Sequence, residues 1–154
     1  MSLKDKLEKL RDRGENSKID WGKYKDEWID SVNRLYKIIQ DDWLAELENK
    51  ELLKLEFFPI SITEEQIGIY SINKMEISYA TDSIVLEPVG GNIIGGKGRI
   101  DFYLKGEYGK GLMLILLREN NTDSWFLVSK QFRSDRELLT KRTLERVIEQ
   151  WIEE

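Results

Sequence analysis

Five of the chain's eleven glycines fall within Val89-Gly90-Gly91-Asn92-Ile93-Ile94-Gly95-Gly96-Lys97-Gly98-Arg99, where flexible backbone amides stand beside two cations. Gly91 to Lys97 has the spacing G-x-x-x-x-G-K of a loop that wraps phosphates in backbone N–H groups. That chemistry also needs Ser or Thr after the lysine to hold magnesium, and a helix whose N-terminus faces the phosphate. Here Gly98 follows the lysine, and Arg99-Ile100-Asp101-Phe102-Tyr103-Leu104 alternates like a strand. A dinucleotide fingerprint fails as well, because its third glycine is absent. The expectation is that the diglycines supply turns and bulges at the ends of a hairpin. The alternative is a small anion nest built from glycine amides with Lys97 and Arg99. Gly95, Gly96, Lys97, Gly98, Arg99, Asp101 and Tyr103 are therefore the candidate ligand- or partner-binding residues. Arg99 and Asp101, two apart on one strand face, are expected to form a surface ion pair of about 0–1 kcal/mol.

Other chemistry is limited by what the chain lacks. It has no histidine and no cysteine, although it carries sixteen aromatics. Nucleophile systems built on imidazole or thiol, Cys/His zinc sites, haem, iron–sulfur ligation and dithiol redox chemistry are thereby removed. Carboxylates remain abundant, but Asp42 with Glu46 and the pair Glu64-Glu65 lack the spacing of a calcium loop and read as solvated charge. Glu48-Asn49-Lys50 resembles a nuclease-like carboxylate-x-lysine pair only in spacing, because it falls at a helix end. No catalytic residue, metal or cofactor is expected.

The net charge of −5 is spread as −1 over residues 1–50, −3 over 51–130 and −1 over 131–154, so no segment offers a basic face to nucleic acid. The N-terminal residues lack a signal-peptide core, and Leu112 to Leu117 is too short to span a bilayer. A cytoplasmic chain without a membrane partner is expected. At 154 residues, one domain burying roughly 70% of its unfolded surface is the default.

The elements that must position these residues follow from periodicity. Leu3, Leu7 and Leu10 share a helical face over residues 2–13, with Ser2 and Asp5 in capping-box spacing and Gly14 as the stop. Asp20 can cap a long helix over 21–48, whose stripe Trp21, Tyr24, Trp28, Val32, Leu35, Ile39, Trp43 is expected to pack as core. From residue 52 the period changes to two. Strands are expected at 52–58, 67–72, 74–79, 83–89, 99–105, 112–117 and 125–132, with turns at Asn73, Asp82, 106–109 and 120–123. Connections this short make neighbours antiparallel. Ser134-Asp135-Arg136-Glu137 looks like a capping box, but Thr140 as N-cap with Leu139 stapled to Leu144 gives the better helix, 141–152. The fold class is α+β. An antiparallel meander of six or seven strands is covered on one face by both helices, and the other face presents Lys97, Arg99, Asp101, Tyr103 and Lys105.

Two functions are compatible with this reading. The first is a non-enzymatic protein-interaction module, of accessory, inhibitor or immunity type, docking through the exposed sheet face or an edge strand, with another protein as partner or a second copy in a homodimer. The second is a domain binding an anionic small molecule or nucleotide through residues 90–98 with Lys97 and Arg99, in which Tyr103 or Lys130 also line the pocket.

Overall fold

The structure, a computed structural model, describes residues 2–16, 20–91, 97–130 and 135–153. The elements run α1 (Leu3–Asn16), α2 (Trp21–Ile38), α3 (Ala45–Asn49), β1 (Lys54–Glu64), β2 (Gly68–Tyr79), β3 (Asp82–Gly90), β4 (Gly98–Leu104), β5 (Leu112–Glu119), β6 (Thr122–Ser129), β7 (Arg136–Leu138) and α4 (Lys141–Glu153). The fold is α+β. All seven strands join one antiparallel sheet in sequential order.

Helix starts follow their caps. The Ser2 and Asp5 side chains and backbone amides exchange hydrogen bonds at 3.2 Å, Asp20 Oδ1 accepts from Lys23 N at 3.0 Å, and Thr140 Oγ1 accepts from Thr143 N at 3.2 Å. Gly14 does not stop α1, which continues to Asn16.

The long helix expected over 21–48 is not regular to its end. It turns π-helical over Ile39–Trp43 and breaks at Leu44 before α3. The wider turn closes with Leu44 N donating to Ile39 O at 2.8 Å. Ile39 and Leu44, five apart, are thereby buried together, at 0% and 1% exposure, and Leu44 takes the core place expected of Trp43.

β2 runs unbroken through Asn73, where a turn was expected. The turn reading rests on the asparagine itself, and what the structure shows there is a change of phase: the buried apolar residues are Tyr70 and Ile72, then Met75 and Ile77. No residue is inserted, since β1 and β2 keep one register from Lys54↔Ser78 to Glu64↔Gly68. Instead β3 pairs with β2 only as far as Met75↔Leu86. Beyond that point β1 and β2 form a two-stranded ribbon, and such ribbons twist strongly enough to swap the face they bury.

Pro88 explains where the pairing ends. Continuing the β2–β3 register by two places sets Pro88 against Asn73, and proline has no N–H to donate. The Tyr36 hydroxyl donates to the Asn73 carbonyl instead, at 2.8 Å, and lies 3.4 Å from the Leu86 carbonyl. Burial, and then the charge of Glu87, push the Tyr36 phenol upward, so it stays a donor. Tyr36→Phe is expected to destabilise by about 1–3 kcal/mol, because a part-buried carbonyl loses its donor at unchanged shape. Urea unfolding followed by tryptophan fluorescence measures this. A loss below about 0.5 kcal/mol would mean the hydroxyl is not the donor this carbonyl depends on.

The core gathers Trp28, Val32, Leu35 and Tyr36 from α2, Ile39 from the π turn, Ile84, Leu86, Ile100, Phe102 and Leu114 from the sheet, and Leu144, Val147 and Ile148 from α4. Trp28 meets Trp125 with ring centroids 6.0 Å apart, and Phe102 meets Trp151 at 4.8 Å. Leu139 and Leu144, the expected staple, both belong to this cluster. β7 was not expected, because Arg136 and Glu137 have the composition of a helix start. Leu127↔Glu137 pairing draws this segment onto β6, and Glu137 then binds Arg146 of α4 in a two-pronged ion pair at 2.6 and 2.5 Å.

Candidate functional site

Gly95 and Gly96 lie outside the described residues. Gly98 is structural in a specific way. A Cβ there would sit 2.1 Å from Cζ3 of Trp28, and one on Gly91 would sit 3.0 Å from Trp28 Cγ and 3.1 Å from the Tyr24 hydroxyl. At Gly91 and at Gly98 the missing side chain lets the backbone lie directly on the indole of α2.

Lys97 and Arg99 turn to different sides of the sheet. Lys97 reaches Asp123 at 3.3 Å, and Arg118 reaches the same carboxylate at 3.1 Å. These residues line a cleft of about 400 Å³ beside α2, together with Tyr24, Trp28 and Arg34. Asp123 and Arg118 face one another across β5 and β6. Arg99 instead points to the opposite face, with Asp101, Tyr103 and Glu87.

That opposite face is not the solvated surface expected. Asp101 is 1% exposed, Val85 and Met113 are 2% exposed, and Glu76 is also buried. Arg99 holds Asp101 Oδ1 through both Nε and Nη2 at 2.8 Å. The Tyr108 hydroxyl donates to Oδ2 at 2.5 Å. The ion pair therefore forms, but beneath a cover rather than in water. The cover is the β4–β5 connection, which folds back over β4. Gly106, with φ 89°, begins the return. Gly111 completes it, where a Cβ would lie 2.7 Å from the Phe102 carbonyl and 2.7 Å from Tyr103 Cβ. Tyr108 then stacks edge-on to Tyr103 at 5.1 Å, and Lys130 lies 3.7 Å from the Tyr108 ring centre while donating to its carbonyl at 3.0 Å. Nearby, Glu76 is held between Lys74 at 3.6 Å and Lys105 at 3.5 Å.

Both Asp101 oxygens accept hydrogen bonds, Oδ1 from Arg99 and Oδ2 from Tyr108. The Tyr108 phenol is pushed up first by its hydrogen bond to Asp101, then by burial. Burial, and then Glu87, raise the Tyr103 phenol to about 12. Neither tyrosine offers a phenolate at neutral pH. Among the described residues no group of three or more carboxylates gathers to hold a metal ion. Sequence reasoning missed Tyr108 and Glu87, whose signal is spatial, and saw Lys130 only as a pocket residue.

The two edges of the sheet differ. β7 is three exposed residues long, two of them charged, a short edge of the kind that resists pairing. β1 is eleven residues long. Glu64 closes the β1–β2 turn through its carbonyl, which accepts from Ile67 N at 3.1 Å. Even-numbered residues of β1 therefore direct their backbone groups at β2, and odd-numbered ones direct theirs outward. The outward N–H of Leu55 is capped by Glu48 of α3 at 2.9 Å. Pro59 occupies another outward position, where its missing N–H disturbs no ladder bond. In the first half of the edge one outward N–H is thus capped and another is absent and, among the described residues, that of Phe57 is open between them. In the second half the outward N–H and C=O groups of Ser61 and Thr63 are exposed and unpaired among the described residues.

Comparison with family models, with curated proteins and with solved structures found no match. Among the described residues no helix is long and apolar enough to cross a membrane.

Proposed function

We propose that this protein is a non-enzymatic interaction module, of accessory, inhibitor or immunity type, that docks by adding a partner's extended segment to the second half of β1. The observation that carries this reading is the outward backbone of Ser61 and Thr63, left open on a strand whose first half is interrupted at Leu55 by Glu48 and at Pro59 by the missing N–H. An edge interrupted in its first half and bare in its second favours one register for an incoming strand, and main-chain hydrogen bonds supply the affinity. The satisfied Arg99–Asp101–Tyr108 network supports a structural role for the face that carries the candidate residues. The separation of Lys97 from Arg99 weighs against an anion site built on both.

The test uses proline at the outward positions. Ser61→Pro and Thr63→Pro remove only N–H groups that point away from β2, so the β1–β2 ladder keeps its bonds. The tagged full chain is used to capture partners from an extract of its source cells, quantified by mass spectrometry, alongside amide exchange of the free protein. A protein held by the natural chain is expected to fall at least about tenfold with the double variant, as two main-chain bonds are lost. The Ser61 and Thr63 amides are expected to exchange faster than those of Ile60 and Ile62. Undiminished capture by the double variant, or Ser61 and Thr63 amides as protected as their neighbours, would sink the reading.

A further inference from the structure

We propose that α1 is a peripheral anchor that lies flat on an anionic bilayer surface, setting Leu3, Leu7 and Leu10 among the lipid headgroups and acyl-chain ends. These leucines are 73%, 55% and 60% exposed, whereas the leucines of the body reach 0–7% in its core. An apolar cleft of about 420 Å³ runs along α1, and its lining, Leu3, Lys4, Leu7, Glu8 and Arg11, comes from α1 alone. No other described element covers the stripe.

Charge identifies the surface it fits. At about 100° per residue, Lys4 and Arg11, with Glu8 just beyond them, flank the leucines on one side and Lys6 on the other, while Asp5 and Lys9 fall on the far side. A helix lying in the plane of an anionic bilayer meets that sequence of environments: acyl chains below, phosphates along both flanks, water above. Self-pairing meets the opposite condition, because two α1 stripes placed face to face would bring Lys4, Lys6 and Arg11 against their own copies. The expectation of no membrane partner rested on the absence of a spanning segment, which a surface helix does not need.

The full chain is floated with vesicles of phosphatidylcholine alone and of phosphatidylcholine with about a third phosphatidylglycerol, a composition that makes the surface strongly negative. Binding is expected to the anionic vesicles only, and to weaken as salt is raised. Lys4→Glu/Lys6→Glu/Arg11→Glu and Leu3→Ser/Leu7→Ser/Leu10→Ser should each reduce it at least about tenfold. Both variants should keep the natural chain's near-ultraviolet circular dichroism and unfolding midpoint, because α1 stands outside the core. Three results overturn the proposal: no flotation of the natural chain with anionic vesicles, flotation insensitive to the leucine variant, or a dimer in sedimentation equilibrium that the leucine variant dissolves.

Discussion

Replacing Arg99 with methionine is expected to cost about 3 kcal/mol at neutral pH, the scale seen when one partner of a buried ion pair is removed. The loss comes from what stays behind. Asp101 would keep a carboxylate whose side chain is 2% exposed, held only by the Tyr108 hydroxyl. For a chain of this size that loss lowers the thermal midpoint by about 6–12 °C. Urea unfolding at neutral pH measures the deficit. Adding Asp101→Asn should recover most of it, because an amide needs no counter-charge. A deficit below about 1 kcal/mol, or one that Asp101→Asn leaves in place, would return the pair to the ordinary surface class.

This pair also marks where the sequence stopped being legible. Spacing placed Arg99 and Asp101 on one strand face, and they do bind each other. Their burial depends on Tyr108, which arrives over that face because Gly106 and Gly111 turn the connection back onto β4. That is a tertiary event with no periodic signal. The same division holds elsewhere. Local chemistry at Asp20, Thr140 and the Ser2/Asp5 box was readable because a cap involves only four neighbouring residues. Alternation was readable wherever a strand keeps one buried face. Turn composition misled at Asn73, where the ribbon swaps faces, and spacing misled at Leu44, where a π turn moves the core face by one residue. β7 escaped notice because three charged or exposed residues carry no alternation, and only β6 defines them as a strand. The β1 edge lay among the surfaces considered, but its bare half depends on Glu48 reaching Leu55 from another element.

Gly98→Ala is expected to be the most damaging single-methyl change among the described glycines of the glycine-rich segment. The added carbon would sit 2.1 Å from Cζ3, 2.5 Å from Cε3 and 2.8 Å from Cη2 of Trp28, so the indole must leave its place. Trp28 is 2% exposed and packs against Trp125, so the ring can yield only toward the cleft it lines beside α2. Overpacking of this kind costs about 1–3 kcal/mol when neighbours can shift, and the depth of overlap puts this site at the upper end or beyond. A midpoint lowered by about 6–12 °C is expected. Gly109→Ala is the internal control, since nothing lies within 4 Å of its Cβ position and its φ is not left-handed, so it should change stability by less than about 0.5 kcal/mol. The decisive measurement is the cycle with Trp28→Leu. If the glycine exists to seat the indole, the alanine should cost far less once the ring is gone, a coupling above about 1 kcal/mol. Additive effects would instead mean that Gly98 is needed for its own backbone, and the link between the glycine-rich segment and α2 would be lost.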